Sequence, residues 1–121
     1  MSQRDHFFNL DAMDQGIFRQ LAEGMSTRVF PGQQAMISIV RIDPGKSGQV
    51  HSHPQEQWGF CVRGSGTRTQ GGEEIEVSAG DFWCTPGEVE HGFRAGDDGA
   101  VIFDVFAPPR EEYTRDGEGF S

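Results

Sequence analysis

The chain has 121 residues and a net charge of −9. One domain is the default at that length, and one core can form without disulfide or metal staples. The acidic balance argues against nucleic-acid and anionic-membrane binding, which depend on basic patches, although a pocket can carry the opposite sign from the whole. Seventeen glycines and ten phenylalanines beside few leucines predict short strands and tight turns, not a helix bundle.

Residues 1–15 read as an arm. Arg4, Asp5, His6, Asp11 and Asp14 make it too polar for a signal peptide. No stretch has the apolar length of a membrane span, so the cytoplasm is the expected compartment. Residues 16–110 read as a barrel domain and 111–121 as a polar tail. Ile17, Arg19 and Leu21 share one face of a first strand. Ala35 to Ile42 is apolar on both faces, as in a strand inside a sandwich or at a subunit contact. Ala100 to Phe106 has the same character, so a homodimer is expected, with no sign of which face is the contact. Asp43-Pro44-Gly45 is a turn. Val50 to His53 and Trp58 to Arg63 read as strands interrupted by Pro54, with Gly64-Ser65-Gly66 as the next turn. Thr67 to Gln70 and Glu73 to Val77 flank Gly71-Gly72, a two-residue hairpin signal. Ala79-Gly80-Asp81 turns into Phe82 to Thr85. Gly92 to Ala95 and Ala100 to Phe106 flank Gly96-Asp97-Asp98-Gly99, which reads as another hairpin. Pro108-Pro109 ends the last strand. Turn signals at this spacing predict an all-β sandwich or barrel. Cys61 and Cys84 lie in no CxxC and are expected as free thiols; a Cys61–Cys84 bond is the alternative.

Three histidines carry the chemistry. His51 and His53, one residue apart on a strand, point to the same side, and a later segment supplies His91. Neutral imidazoles suit zinc, iron, nickel, cobalt or copper. Gln57 is a fourth candidate ligand through its amide oxygen. Glu56 is its rival, because Pro54 makes strand parity unsafe there. An amide leaves the ion more positive than a carboxylate would, which suits Lewis-acid work on an anionic oxygen substrate. Asp104 is flanked by apolar residues and shares a face with Ile102 and Phe106. A buried carboxylate must be paired, ligated or shifted in pKa, so Asp104 is a structural ion pair, a dimer contact or a general acid/base. Trp58, Phe60, Phe82 and Trp83 read as core or interface aromatics.

The spacing of these residues resembles a known pattern. Gly45 is followed by five residues, His51-Ser52-His53, three residues, Gln57, six residues and Gly64. Gly80 is followed by five residues, Pro86, four residues and His91. The two segments resemble the motifs of the cupin superfamily, single-domain jelly-roll β-barrels that usually hold one divalent metal. Gln57 stands where the family usually has glutamate, Glu88 where it has glycine and Ala95 where asparagine is common. His51 to Gln57, together with Asp104 to Tyr113, looks like the KdgF-type pectin-degradation cupins. That resemblance implies a metal held by His51, His53, Gln57 and His91, with nickel, zinc, iron, manganese and cobalt all open. It implies ring opening and ketonisation of 4,5-unsaturated uronates, small anionic sugar acids. In it Asp104 is the acid/base, Phe106 a wall against the sugar ring, and Arg110 the grip on the substrate carboxylate. An iron-dependent oxygenase and a non-catalytic sugar-acid-binding module are the alternatives on the same barrel.

Overall fold

The computed structural model describes residues 2–115 and 117–120. Seven strands form one antiparallel sheet wrapped into a jelly-roll barrel: β1 (Ile17–Ala22), β2 (Met25–Pro31), β3 (Met36–Ile42), β4 (Glu56–Gln70), β5 (Glu73–Ser78), β6 (Phe82–Thr85) and β7 (His91–Ala107). Neighbours run in the order β1-β2-β3-β7-β4-β5, and β6 pairs with β4. Among the described residues no helix is long and apolar enough to cross a membrane.

The inward faces follow strand alternation. Met25, Thr27 and Val29 on β2, Met36, Ser38, Val40 and Ile42 on β3, and Ala100, Ile102, Asp104 and Phe106 on β7 are all buried. The apolar residues among them form one core cluster with Leu21, Cys61, Val77, Phe93, Ala95 and Tyr113. Both cysteines are free thiols. Gly71 and Gly72 take φ of 59° and 84°, which is the hairpin their sequence predicts.

Two expected turns are not turns. Gly64-Ser65-Gly66 lies inside β4, and residues 96–99 lie inside β7. Both halves of β7 pair with β4: His91 to Ala95 against Gly66 to Gln70, and Ala100 to Ala107 against Glu56 to Gly64. The glycines mark the irregularity where the register of this long ribbon shifts, between Cys61 and Gly66. A Cβ on Gly64 would lie 2.0 Å from the Gly99 carbonyl oxygen, so only glycine permits the approach. The expected strand Val50–His53 reduces to a single bridge between His51 and His91. Pro54 removes a donor just beyond it.

The two terminal segments are fastened to the barrel. Asp11 receives a bidentate pair from Arg63 at 2.8 and 2.9 Å, and the Phe8 ring packs 4.7 Å from that of Phe30. Tyr113, in a one-turn helix at Glu111–Thr114, is 2 % exposed, so the expected polar tail has a buried aromatic anchor.

Candidate metal centre

The single bridge between His51 and His91 sets the site. Each residue's amide donates to the other's carbonyl, at 3.0 and 2.9 Å. This holds the loop before β4 against the start of β7. His53 follows two residues later, and its carbonyl accepts the Glu88 amide at 2.8 Å. The ring centroids are 4.6 Å apart for His51 and His91, 4.9 Å for His53 and His91, and 5.9 Å for His51 and His53. One ring nitrogen from each of the three lies within 4.8 Å of the others.

Main-chain carbonyls select the tautomer. Nδ1 of His51 faces the Gln49 oxygen at 3.1 Å, Nδ1 of His53 the Gln55 oxygen at 3.0 Å, and Nδ1 of His91 the Val89 oxygen at 2.8 Å. A carbonyl only accepts, so each Nδ1 carries the hydrogen and each Nε2 is left with a bare lone pair. Burial lowers all three pKa values, to about 4 for His51 and about 3 for His91. The rings are therefore neutral at pH 7, the form that ligates.

Gln57 is 4 % exposed and faces inward from β4, with Oε1 2.9 Å from Nε2 of His53. Glu56 is exposed and accepts from the Trp58 indole at 2.9 Å. With Nδ1 of His53 donating to Gln55, two acceptor atoms meet at that 2.9 Å contact. A divalent cation held by Nε2 of His53 and Oε1 of Gln57 would resolve it. Nε2 of His91 is buried and has no hydrogen-bond partner among the described residues. A buried acceptor of this kind calls for a partner, and a metal ion would supply one. The donor set fits a divalent transition metal held by three imidazoles and an amide oxygen.

His51, Gln57, His91, Asp104 and Phe106 line one narrow cavity of about 40 Å³. Asp104 is 7 % exposed, and its Oδ1 is buried with no hydrogen-bond partner among the described residues. Burial lifts its pKa to about 6, against the opposing pull of Arg68 and a hydrogen bond with Gln57. Gln57 and Asp104 line the same cavity. Phe106 is 3 % exposed with its ring 5.3 Å from that of His53, so it forms a wall of the same space. Arg110 is 2 % exposed but is not among the cavity's lining residues. Its guanidinium lies 4.2 Å over the Tyr113 ring and 5.8 Å from the Phe106 ring, and Nη2 donates to the Phe120 carbonyl.

The sequence reading missed Arg68 and Phe120. Arg68 is 6 % exposed, faces the cavity, and donates to Thr85 Oγ1 at 2.8 Å. Its burial lowers its pKa, and Asp104 partly offsets that. Gly66, Thr67 and Arg68 are buried in succession, so alternation gave no inward parity to read. Phe120 packs on His51 with ring centroids 4.3 Å apart.

Fold and site define a metal-binding β-barrel of the jelly-roll type. The chain belongs to the cupin family: the cupin-domain family model matches residues 38–106. Two solved structures are similar over most of their length. A RmlC-like cupin from Shewanella frigidimarina NCIMB 400 gives a TM-score of 0.76 at 24% identity, covering 88% of this chain and 96% of that one. KdgF from Halomonas sp. gives 0.73 at 26% identity, covering 79% of this chain and 89% of that one. Oxalate decarboxylase OxdC of Bacillus subtilis (strain 168) is 28% identical over 91 residues, 70% of this chain. The chain spans only 24% of that protein.

Proposed function

We propose that the protein is a metal-dependent enzyme that opens and ketonises 4,5-unsaturated uronates. The observation that carries the reading is one cavity lined by the buried carboxylate of Asp104 together with His51, His91 and Gln57, the last 2.9 Å from His53. Similarity to KdgF from Halomonas sp. supports the choice of substrate class.

The reaction moves one proton and rearranges bonds without any oxidant. The hemiacetal hydroxyl at carbon 1 loses its proton as the bond from carbon 1 to the ring oxygen breaks, leaving an aldehyde. The electron pair on the former ring oxygen becomes a ketone at carbon 5 as carbon 4 takes up a proton. Asp104 accepts the first proton and delivers the second; such general acid/base work contributes about 10²–10⁴-fold. A bound divalent metal supplies Lewis acidity toward the substrate's oxygens. Phe106 walls the ring. Arg110, two residues past the cis Ala107–Pro108 bond, pairs with the carboxylate. Gln57 holds the Asp104 carboxyl in place.

The test is an absorbance assay on 4,5-unsaturated galacturonate, with and without chelator. Loss of the double-bond absorbance that chelator stops and added metal restores supports the reading. An unchanged spectrum with metal-loaded protein refutes it. The alternatives separate in the same cuvette: an oxygenase consumes dioxygen, and a binding module gains thermal stability without product.

We also propose a homodimer through the outer face of β3, β7, β4 and β6. Ile37, Phe103, Val105, Trp58, Phe60 and Phe82 line two adjoining grooves that share Phe103 and Val105. Trp58, Phe60 and Phe82 are 44, 41 and 67 % exposed. None of these positions is acidic in a chain with 19 acidic residues, so the face can meet a second copy of itself without like-charge repulsion.

A further inference from the structure

Arg19 on β1 is 2 % exposed, and main-chain carbonyls of the C-terminal segment surround its guanidinium. Nε donates to Gly119 at 2.8 Å, Nη1 to Glu112 at 2.9 Å, and Nη2 to Glu118 at 2.9 Å. The Gly119 amide donates to the Gln20 carbonyl at 2.8 Å, and Gln20 and Glu118 form a parallel bridge. Residues 117–120 are therefore a short strap laid along the edge strand. Its tip reaches the metal site. Phe120 lines the cavity, packs on His51, and sits so close to Gly48 that a Cβ there would be 2.4 Å from its ring. The Phe120 carbonyl accepts from Arg110 Nη2, while Nε and Nη1 of Arg110 are buried without a hydrogen-bond partner among the described residues. Arg110 is thus a buried cation whose Nη2 bonds a neutral carbonyl and stands 3.7 Å from the Glu112 carboxylate, while its other two nitrogens have no acceptor among the described residues.

We propose that the strap is the outer wall of the ligand cavity and that Phe120 is a specificity-determining residue, admitting a single acidic ring and excluding longer chains. A ligand carboxylate replaces the Phe120 carbonyl on Arg110. The exchange is favourable because a guanidinium–carboxylate bond is about twice as strong as one to a neutral acceptor. Arg19 is a positioning residue that fixes the strap and touches no ligand. The uronate identity rests on the function proposed above; the wall does not.

The wall is tested first without any sugar, on metal-loaded protein. Phe120→Ala and Arg19→Met should each speed metal removal by EDTA about tenfold, and Arg19→Met should speed hydrogen exchange of the Gly119 amide by a similar factor. Phe120→Tyr should behave as the parent. Unchanged chelation rates in both variants overturn the wall. Calorimetry with galacturonate and trigalacturonate then reads selectivity. The parent should bind the monomer at least about tenfold more tightly, and Phe120→Ala should close that gap. Equal affinities in the parent, or a gap that survives Phe120→Ala, overturn the specificity role. If neither sugar binds while chelation responds as expected, the substrate class fails and the wall stands.

Discussion

Glu88 occupies the position where the family pattern has glycine, and its φ is 70°, in the left-handed region. A side chain there costs about 1–2 kcal/mol through the crowding of Cβ against the carbonyl. Glu88 is exposed, and its amide bond to the His53 carbonyl is a main-chain bond that any residue can make. Replacing Glu88 by glycine removes the strain but adds about 0.5–1 kcal/mol of unfolded-state entropy. The net expectation for Glu88→Gly is a gain of about 0.5–1 kcal/mol, or a Tm higher by a few degrees. Gly87, one residue earlier, must behave in the opposite way. A Cβ there would stand 2.4 Å from the Pro54 carbonyl oxygen, a contact with backbone that cannot yield cheaply. Gly87→Ala should cost about 2 kcal/mol or more and weaken metal binding, because the displaced loop carries His53. Urea unfolding of the metal-free protein, with metal affinity measured separately, reads both. A destabilised Glu88→Gly or a neutral Gly87→Ala would refute this account of the loop.

Four further outcomes are expected. Asp104→Ala should abolish uronate turnover and leave metal content near that of the parent, as elemental analysis beside the absorbance assay will show; full activity removes the acid/base assignment. In metal-free protein, burial raises the Asp104 pKa from 3.8 to about 6, so the unfolded chain ionises first and stability is lost as pH rises through that interval. At about 1.4 kcal/mol per pH unit, Asp104→Asn should gain about 3 kcal/mol on the parent between about pH 4 and pH 7; denaturation curves that keep a constant offset contradict this. Arg110→Lys should chiefly raise KM for the uronate, since a point charge cannot reproduce the fork, whereas an unaltered KM places the residue outside the binding site. Phe82→Glu should convert a dimer to a monomer in light scattering, and a parent that is monomeric at every concentration rejects the proposed face.

Much of the site was readable because it depends on local spacing and strand parity. His51 and His53 share a side, and Ile102, Asp104 and Phe106 alternate inward on β7 as their sequence suggests. The choice between Gln57 and Glu56 needed coordinates, because Pro54 interrupts the parity before β4. Glycine signals misled at residues 64–66 and 96–99. A glycine that permits a register shift and one that permits a hairpin look alike until the partner strand is known, and here both halves of β7 pair with β4. Arg19 carried a signal that was not used: it shares a face with Leu21, so it had to be buried and to find acceptors. Tyr113 and Phe120 were hidden by the charged residues around them, and only the carbonyls gathered by Arg19 show that this segment belongs to the barrel.

Elemental analysis of purified, dialysed protein tests the central claim most directly. Three imidazoles whose ring nitrogens lie within 4.8 Å of one another, with the Gln57 amide oxygen beside His53, should retain close to one divalent transition metal per chain, and His91→Ala should lose it. Metal at trace level in the parent, or an equal content in His91→Ala, would contradict the site.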